Sequence, residues 1–359
     1  MFLLIPQSYN FVQNCRTSGT TVVWIDSARR GAYEPYQWRP GFDNSEWSYS
    51  SVESWARQNS IIAAQNKQFL DYLLTVEQSV YRTRDSGIDE CHYNSSCNSL
   101  ASLLTRKENL IAMKHENVCW NLKNKTNFFD LKIGMPRHSK SVHAPIEGFI
   151  AFSKLPKLFT DVLLIIVDTA RTMPFFDKLD LSDKICLITT VTMPTLALHF
   201  GYYCSRMLSE TVVFPNGYPI KNVFNANFYK EDMTINKFIK KLFDNSMGPF
   251  NRLQLSKEEF VLLRAIIFSH FASTGLSQYG RQLLLTEAEK YSDILMKMLQ
   301  NRYGPLPGAR RYAELFHLVE FCFNCGNNHS LFLNYLAYVT DRGYFHNSMP
   351  EALANLSLG

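Results

Sequence analysis

A chain of 359 residues with 46% hydrophobic and 14% aromatic residues can bury a large core, which excludes an intrinsically disordered protein. The formal net charge of +5 comes from 37 Lys and Arg against 32 Asp and Glu, spread along the chain without a long basic run, so nothing indicates direct nucleic-acid binding. The longest apolar run, residues 162–167, is far below the roughly 20 residues that cross a bilayer, and the apolar N-terminus lacks the charged start of a signal peptide.

The N-terminal part of the chain divides near residue 60. Residues 1–59 show no useful periodicity, and we interpret them as a variable N-terminal segment ahead of a domain over 60–359. A first helix is predicted from about 60 to the "DSGIDE" stretch, because apolar residues recur there at spacings of 3 and 4. Residues 85–150 are polar, which predicts long connections around one or two short helices near 99–122.

Two long helices are predicted in the middle of the chain. "LPKLFTDVLLIIVDTARTM" is apolar almost all round, which indicates a helix buried inside a layered core. The pattern breaks at Pro174 and restarts at "DLSDK", where Asp180, Ser182 and Asp183 suit the positive end of a helix that continues towards Tyr203. Pro194 predicts a kink or a break within this second helix.

The C-terminal part also reads as helices. Asn-Gly in "FPNGYPI" (214–220) predicts a small strand pair, and Ser256 with Glu259 forms a capping box for a helix that should stop at Gly275. Further helices are predicted from Tyr279 to about 302, in "ARRYAELFHLVEFCF", in "HSLFLNYLAYV" and in the terminal "PEALANL". The predicted fold is all-α, a layered α-helical sandwich with at most one small β-hairpin.

No local motif indicates catalysis, a cofactor or a metal. The chain contains no G-x-S-x-G, no Gly-rich phosphate loop and no H-E-x-x-H, so a binding protein is favoured over an enzyme. Cys322 and Cys325 lie in a helical stripe without a second pair at zinc-site spacing and are interpreted as core cysteines. Cys91 and Cys97, with His92 between them, would bind a metal only if Cys119 or a distant ligand joined them. His199 and His270 are interpreted as core or pocket histidines.

The break between the two middle helices resembles the signature of the nuclear receptor ligand-binding domain. The matching positions are Ala170-Arg171, Phe176, Leu179, Asp183-Lys184 and Leu187-Ile188; Thr169 departs from the usual aromatic. "FLDYLLTVEQ", "LSKEEFVLLRAIIF" and "GARRYAELFHLVEF" are similar to the first, eighth and tenth helices of the divergent nematode branch of that family. The resemblance covers about 60–359.

This resemblance implies a surface groove that holds a partner helix of Leu-x-x-Leu-Leu type, with a cation at the negative end of the partner's dipole. The implied positions are Val167, Leu181, Ile185 and Ile188 for the floor, Arg171 for the cation and Lys184 at the rim. The alternative is that both charges are merely solvated. In the terminal helix Asn355 occupies the position of the family's capping Glu, so the implied clamp lacks one charge.

The resemblance also implies a pocket for a small hydrophobic ligand beneath these helices. Its lining positions are Phe159, Val162, Met193, Leu196, Ala197, Phe200 and Tyr203, the last at the family's ligand-anchoring Arg slot. A filled core without a ligand is the open alternative.

The implied function is a nuclear transcription regulator without catalytic activity, which dimerises with itself or another receptor through the "RRYAELFHLVEF" helix. Residues 1–60 contain only Cys15, so we expect no zinc DNA-binding module and no direct DNA binding. One alternative is a receptor deficient in DNA binding that sequesters dimer partners. An all-α enzyme acting on a hydrophobic small molecule is the other.

Overall fold

The computed structural model describes residues 49–86, 88, 98–112, 144–214, 217–225, 231–339 and 349–358. The chain divides into two units, residues 1–69 and 70–359, and the division falls inside the first helix. In the first unit the described residues, 49–69, are helical. The predicted domain boundary at residue 59 stays a prediction.

The described residues form eleven α-helices and no β-strand, which confirms the all-α prediction. The helices are α1 (Tyr49–Ser86), α2 (Leu100–Thr105), α3 (Ala144–Arg171), α4 (Leu181–Arg206), α5 (Ile220–Asn225), α6 (Met233–Ile239), α7 (Met247–Leu253), α8 (Lys257–Phe268), α9 (Gln278–Tyr303), α10 (Pro305–Val339) and α11 (Glu351–Leu358). A 3₁₀ turn (Phe176–Lys178) separates α3 from α4, and a π-helical turn (Lys240–Asp244) extends α6. Within the predicted hairpin the described residues show one antiparallel bridge, between Val213 and Pro219.

Helix α4 is the central layer of the fold. Every residue from Val191 to Tyr202 is buried, because α4 packs against α3, α8, α10 and, near its two ends, α7 and α11. In the described part of the chain α4 is the one helix long and apolar enough to cross a membrane, but most of that stretch is buried in this core. The layered sandwich predicted from the sequence is therefore the observed architecture.

Of the kink or break predicted at Pro194, the break does not occur, because α4 runs unbroken through it. Gly326 of α10 lies against this point of α4. A Cβ atom on Gly326 would lie 2.6 Å from the Pro194 nitrogen and 2.8 Å from the Met193 carbonyl carbon, closer than packed atoms approach. The absence of a side chain at Gly326 therefore lets the two backbones approach closely where proline has removed an N–H group.

Three predicted helix ends were wrong. Helix α1 begins at Tyr49, ahead of the apolar periodicity that predicted it. Helix α8 ends at Phe268 and not at Gly275, and beyond it the His270 amide donates to the Ile267 carbonyl at 3.2 Å, a bond three residues back that closes the last turn. The two helices predicted after residue 308 are one helix, α10, whose predicted break contains no proline and whose Gly326 is held against α4.

Replacing Gly326 with alanine should destabilise the fold. The added methyl group meets backbone atoms that cannot move aside, so we expect a loss of about 1–3 kcal/mol in the free energy of unfolding, as in other overpacked cores. Thermal unfolding followed by circular dichroism measures it. Gly248→Ala is the matched control, because nothing lies within 4 Å of its Cβ position and alanine favours the helix α7. Equal melting temperatures for the two variants would contradict this contact.

Candidate functional site

The connection between α3 and α4 is held by buried side chains. Phe175, Phe176 and Leu179 are fully buried in it. At the start of α4, Asp183 accepts hydrogen bonds from the Ser277 amide at 2.7 Å and the Ser277 hydroxyl at 2.6 Å, which fixes α4 to the first turn of α9. Asp180 precedes α4 without a side-chain cap bond, so the capping that its position predicts is not made. Asp183, the acidic residue of the signature, therefore has a structural role in holding α4 against α9.

The predicted groove residues lie at one end of the helical layers. Val167 and Ile188 are fully buried, Lys184 and Ile185 are half-buried, and Leu181 is 41% exposed. Helix α11 packs against α3, α4 and α10 and carries Asn355 on its exposed side. The Lys184 ammonium lies 5.4 Å from the centre of the Phe176 ring. The end of α3 and the start of α4 are joined by a short connection, and the terminal helix packs against both helices, while the groove itself stays a prediction.

Residues 98–112, where the sequence predicted a short helix but no functional role, contain α2. Helix α2 packs against α4 and α11, and Leu103 and Leu104 are fully buried while Leu100 is half-buried. Ser99 caps the helix by accepting from the Ser102 amide at 3.1 Å. The spacing of these leucines in "LASLL" is Leu-x-x-Leu-Leu, and this was the sequence signal that could have identified the segment.

Arg171 contacts the C-terminal end of α2. Its Nη1 donates to the Glu108 carbonyl at 2.8 Å, and its Nη2 donates to the carbonyl of Arg106, the residue that follows the last turn of α2. A cation at this end of a helix faces the negative end of the helix dipole. The predicted groove cation thus lies at the end of a helix that belongs to the same chain.

Asp168 joins the segment to the last turn of α3. The carboxylate is completely buried and accepts from Arg171 Nη1 at 2.9 Å, from Arg106 and from the Leu110 amide at 2.9 Å. The side-chain amide of Asn109 donates to the backbone carbonyl of Asp168 at 3.0 Å. Two guanidinium groups and a backbone amide therefore satisfy one buried carboxylate, as a buried charge requires.

A second buried polar cluster surrounds Tyr203, which the resemblance placed at the ligand-anchoring position. The Tyr203 hydroxyl donates to Glu77 of α1, and Arg264 of α8 donates to the same carboxylate at 2.6 Å. The Arg84 guanidinium lies 3.9 Å from the centre of the Tyr203 ring. Burial and the neighbouring Glu77 carboxylate raise the pKa of Tyr203 well above its usual value. The tyrosine hydroxyl is thus bound to protein groups that connect α1, α4 and α8.

His199 stands beside this cluster, with its ring centre 4.5 Å from that of Tyr203. Burial, followed by the positive charges of Arg84 and Arg264, lowers the pKa of His199 well below its usual value. Cys322 and Cys325 are buried free thiols in α10, which confirms that they are core cysteines. Cys91, His92, Cys97 and Cys119 lie outside the described residues.

The other predicted pocket residues are all buried around α4. They are Phe159, Val162, Met193, Leu196, Ala197 and Phe200. The rings of Phe159 and Phe200 meet edge to face at 6.4 Å. Ala197 and Phe200 line a small cavity. The volume open to the centre of a water-sized sphere is about 10 Å³, which is roughly enough for one water molecule. His329 and Cys325 of α10 line its other side.

Replacing Glu77 with glutamine should destabilise the fold strongly. The change keeps the shape but leaves the buried Arg264 cation without a carboxylate, which costs about 3–5 kcal/mol in the free energy of unfolding. Urea denaturation measures the loss. Glu258→Gln is the control, because its pair with Arg302 is partly exposed and is worth less than about 1 kcal/mol. A Glu77→Gln variant as stable as this control would refute the importance of the cluster.

The stability of the fold should fall below about pH 6.5 through His329. Burial lowers the pKa of His329 to about 4, so between pH 6.5 and 4 the unfolded chain binds a proton that the folded chain does not. The protonation of His329 therefore leaves the free energy of unfolding unchanged above pH 6.5 and lowers it by about 3 kcal/mol at pH 4. In the His329→Gln variant, the free energy of unfolding measured by urea denaturation should fall less between pH 7 and 5. Part of the fall should remain, because His199 is also buried with a lowered pKa. An unchanged slope would contradict the buried neutral histidine.

Comparison with known proteins supports one family. The profile described as the ligand-binding domain of nuclear hormone receptor matches residues 140–320, just over half of the chain. Nuclear hormone receptor family member nhr-60 of Caenorhabditis elegans is 28% identical over 159 residues, which cover 44% of this chain and 32% of that protein. Member nhr-124 of the same organism is 27% identical, covering 43% and 39%.

A mammalian protein is similar over a comparable share of this chain. Mouse hepatocyte nuclear factor 4-gamma is 25% identical over 146 residues, covering 41% of this chain and 34% of that protein. The matched region thus spans about a third of the length of these relatives. The profile match, the layered helices and the α3–α4 signature agree, and the chain belongs to the nuclear hormone receptors, a non-enzymatic family, through a ligand-binding domain of that family.

Proposed function

We propose that the chain regulates transcription by holding Leu-x-x-Leu-Leu-type helices of coregulators in the groove formed by the end of α3, the start of α4 and α11. The observation that supports this most is the contact of Arg171 with the C-terminal end of α2, a helix whose leucines have that spacing and are buried against α4 and α11. The chain's own helix supports the proposal, because a segment with this leucine spacing packs against α4 and α11.

Helix-in-groove binding needs an apolar floor and a favourable charge at the end of the bound helix. Ile185 offers half-buried apolar surface beside Val167 and Ile188. The guanidinium of Arg171 would add about 0.3–1 kcal/mol through the dipole of the partner. Asn355 brings no charge to the other end, so apolar burial and Arg171 must supply most of the affinity.

Family membership supports two further roles for the domain. The buried positions around Phe159 and Phe200 are where a small hydrophobic ligand would lie, and it would have to move these side chains apart, because the cavity that Ala197 and Phe200 line has room for about one water molecule. The first half of α10, which carries the exposed Arg310 and His317, is the proposed surface for pairing with a second receptor. The nucleus is the proposed location, as is typical of the family.

Introducing a charge into the groove floor should abolish coregulator binding. Ile185→Asp places a carboxylate against the leucines of the partner helix. We expect the dissociation constant to rise at least tenfold, because burying one such unpaired group costs more than 1.4 kcal/mol. Fluorescence anisotropy of a labelled Leu-x-x-Leu-Leu peptide, titrated with the full chain and up to millimolar protein, measures the change.

The control for this experiment is Leu306→Asp, which adds the same charge at an exposed position in the first turn of α10, where a carboxylate is tolerated. It should bind as the unaltered chain does. Equal affinity for Ile185→Asp would place the peptide elsewhere. If the peptide does not bind the unaltered chain or any variant below, the groove has no such partner, and pairing with another receptor becomes the better explanation.

A further inference from the structure

We propose that α2 is an internal Leu-x-x-Leu-Leu helix that occupies the chain's own groove and must leave it before a coregulator helix can bind. The inference rests on the proposed function of the groove and adds how that groove is regulated. The fold would then hold the domain in a self-blocked state, from which a partner competes α2 away.

The leucines of α2 have the burial of a bound recognition helix. Leu103 and Leu104 are fully buried and Leu100 is half-buried, while Thr105 faces solvent. Helix α2 has six residues, which is too short to be stable alone, so its helical form depends on packing against α4 and α11 and on the Ser99 cap. The segment is helical because the groove surfaces hold it.

The same groups that would bind a partner are already bound to this segment. Arg171 donates to the Arg106 and Glu108 carbonyls at the end of α2 and to Asp168. A partner helix with its C-terminal end at Arg171 would need those same donors. The two helices therefore exclude one another.

The attachment of the segment has a weak point. Arg106 is almost completely buried, and although its Nη2 meets Asp168, its Nε is buried without a hydrogen-bond partner among the described residues. An unsatisfied buried donor is unfavourable and is relieved when the segment leaves for water. Asp168 would keep Arg171 as its partner after release, so opening would not leave the carboxylate unpaired.

Covalent attachment gives α2 an advantage over any free peptide. A tethered segment competes at an effective concentration on the order of millimolar. If the groove is open for only about a tenth of the time or less, the apparent dissociation constant of an added helix rises by about tenfold or more. Self-occupation would thus act as a threshold that only abundant or tightly binding partners exceed.

Weakening α2 should strengthen peptide binding. In the full chain, Leu103→Ala/Leu104→Ala removes the apolar contacts of α2 but leaves Val167, Ile185 and Arg171 in place. We expect the labelled Leu-x-x-Leu-Leu peptide to bind this variant at least tenfold more tightly than the unaltered chain. Thr105→Ala, on the solvent side of the same helix, is the matched control and should bind as the unaltered chain does. Equal affinity for all three proteins would overturn the inference while leaving the proposed function standing.

Hydrogen exchange on the unaltered chain provides a test that needs no variant to fold. The amides of Leu103 and Arg106 donate to carbonyls within the α2 turn and should exchange faster when saturating peptide is added, because the helix is displaced. Slower or unchanged exchange over residues 100–106, with peptide bound, would overturn the inference. Absence of peptide binding to every variant would instead overturn the proposed function, and the inference with it.

Discussion

Helix α4 is buried from Val191 to Tyr202, and a helix with no solvent-facing side needs neighbours all round. That constraint places α3, α8 and α10 against it and forces the close approach of Gly326 to Pro194. Exposed residues of α4 lie before Val191, at Leu181, Ser182 and Thr189, and at its C-terminal Arg206. The proposed groove lies where α4 begins, next to the end of α3.

Buried ion pairs connect segments that are far apart in sequence. They are Asp168 with Arg106 and Arg171, Glu77 with Arg264, and Glu259 with Arg311. Such pairs add little net stability over apolar contacts, but breaking one is costly, so they favour a single arrangement of the helices they join. The cluster around Asp168 differs from the others because it attaches the short segment of α2 to the last turn of α3, beside the proposed groove.

The sequence predicted local features well and long-range ones poorly. The capping box of Ser256 and the apolar stripe of α9 depend on neighbouring residues, and both helices begin where these patterns placed them. The unbroken α10 and the placement of residues 98–112 depend on contacts with α4 and α3 across 58 or more residues, which periodicity does not encode. "LASLL" was visible in the sequence, but only the fold shows that Arg171 lies at its end.

The position of Asn355 fits a groove adapted to its own helix. A glutamate there would meet the free amides at the N-terminal end of a bound helix. Helix α2 satisfies such amides from within, since Ser99 and Ser102 form a reciprocal capping box. Loss of the charge therefore weakens an external helix more than the internal one. Specificity is a difference between two affinities, and here the missing carboxylate shifts that difference towards the self-bound state.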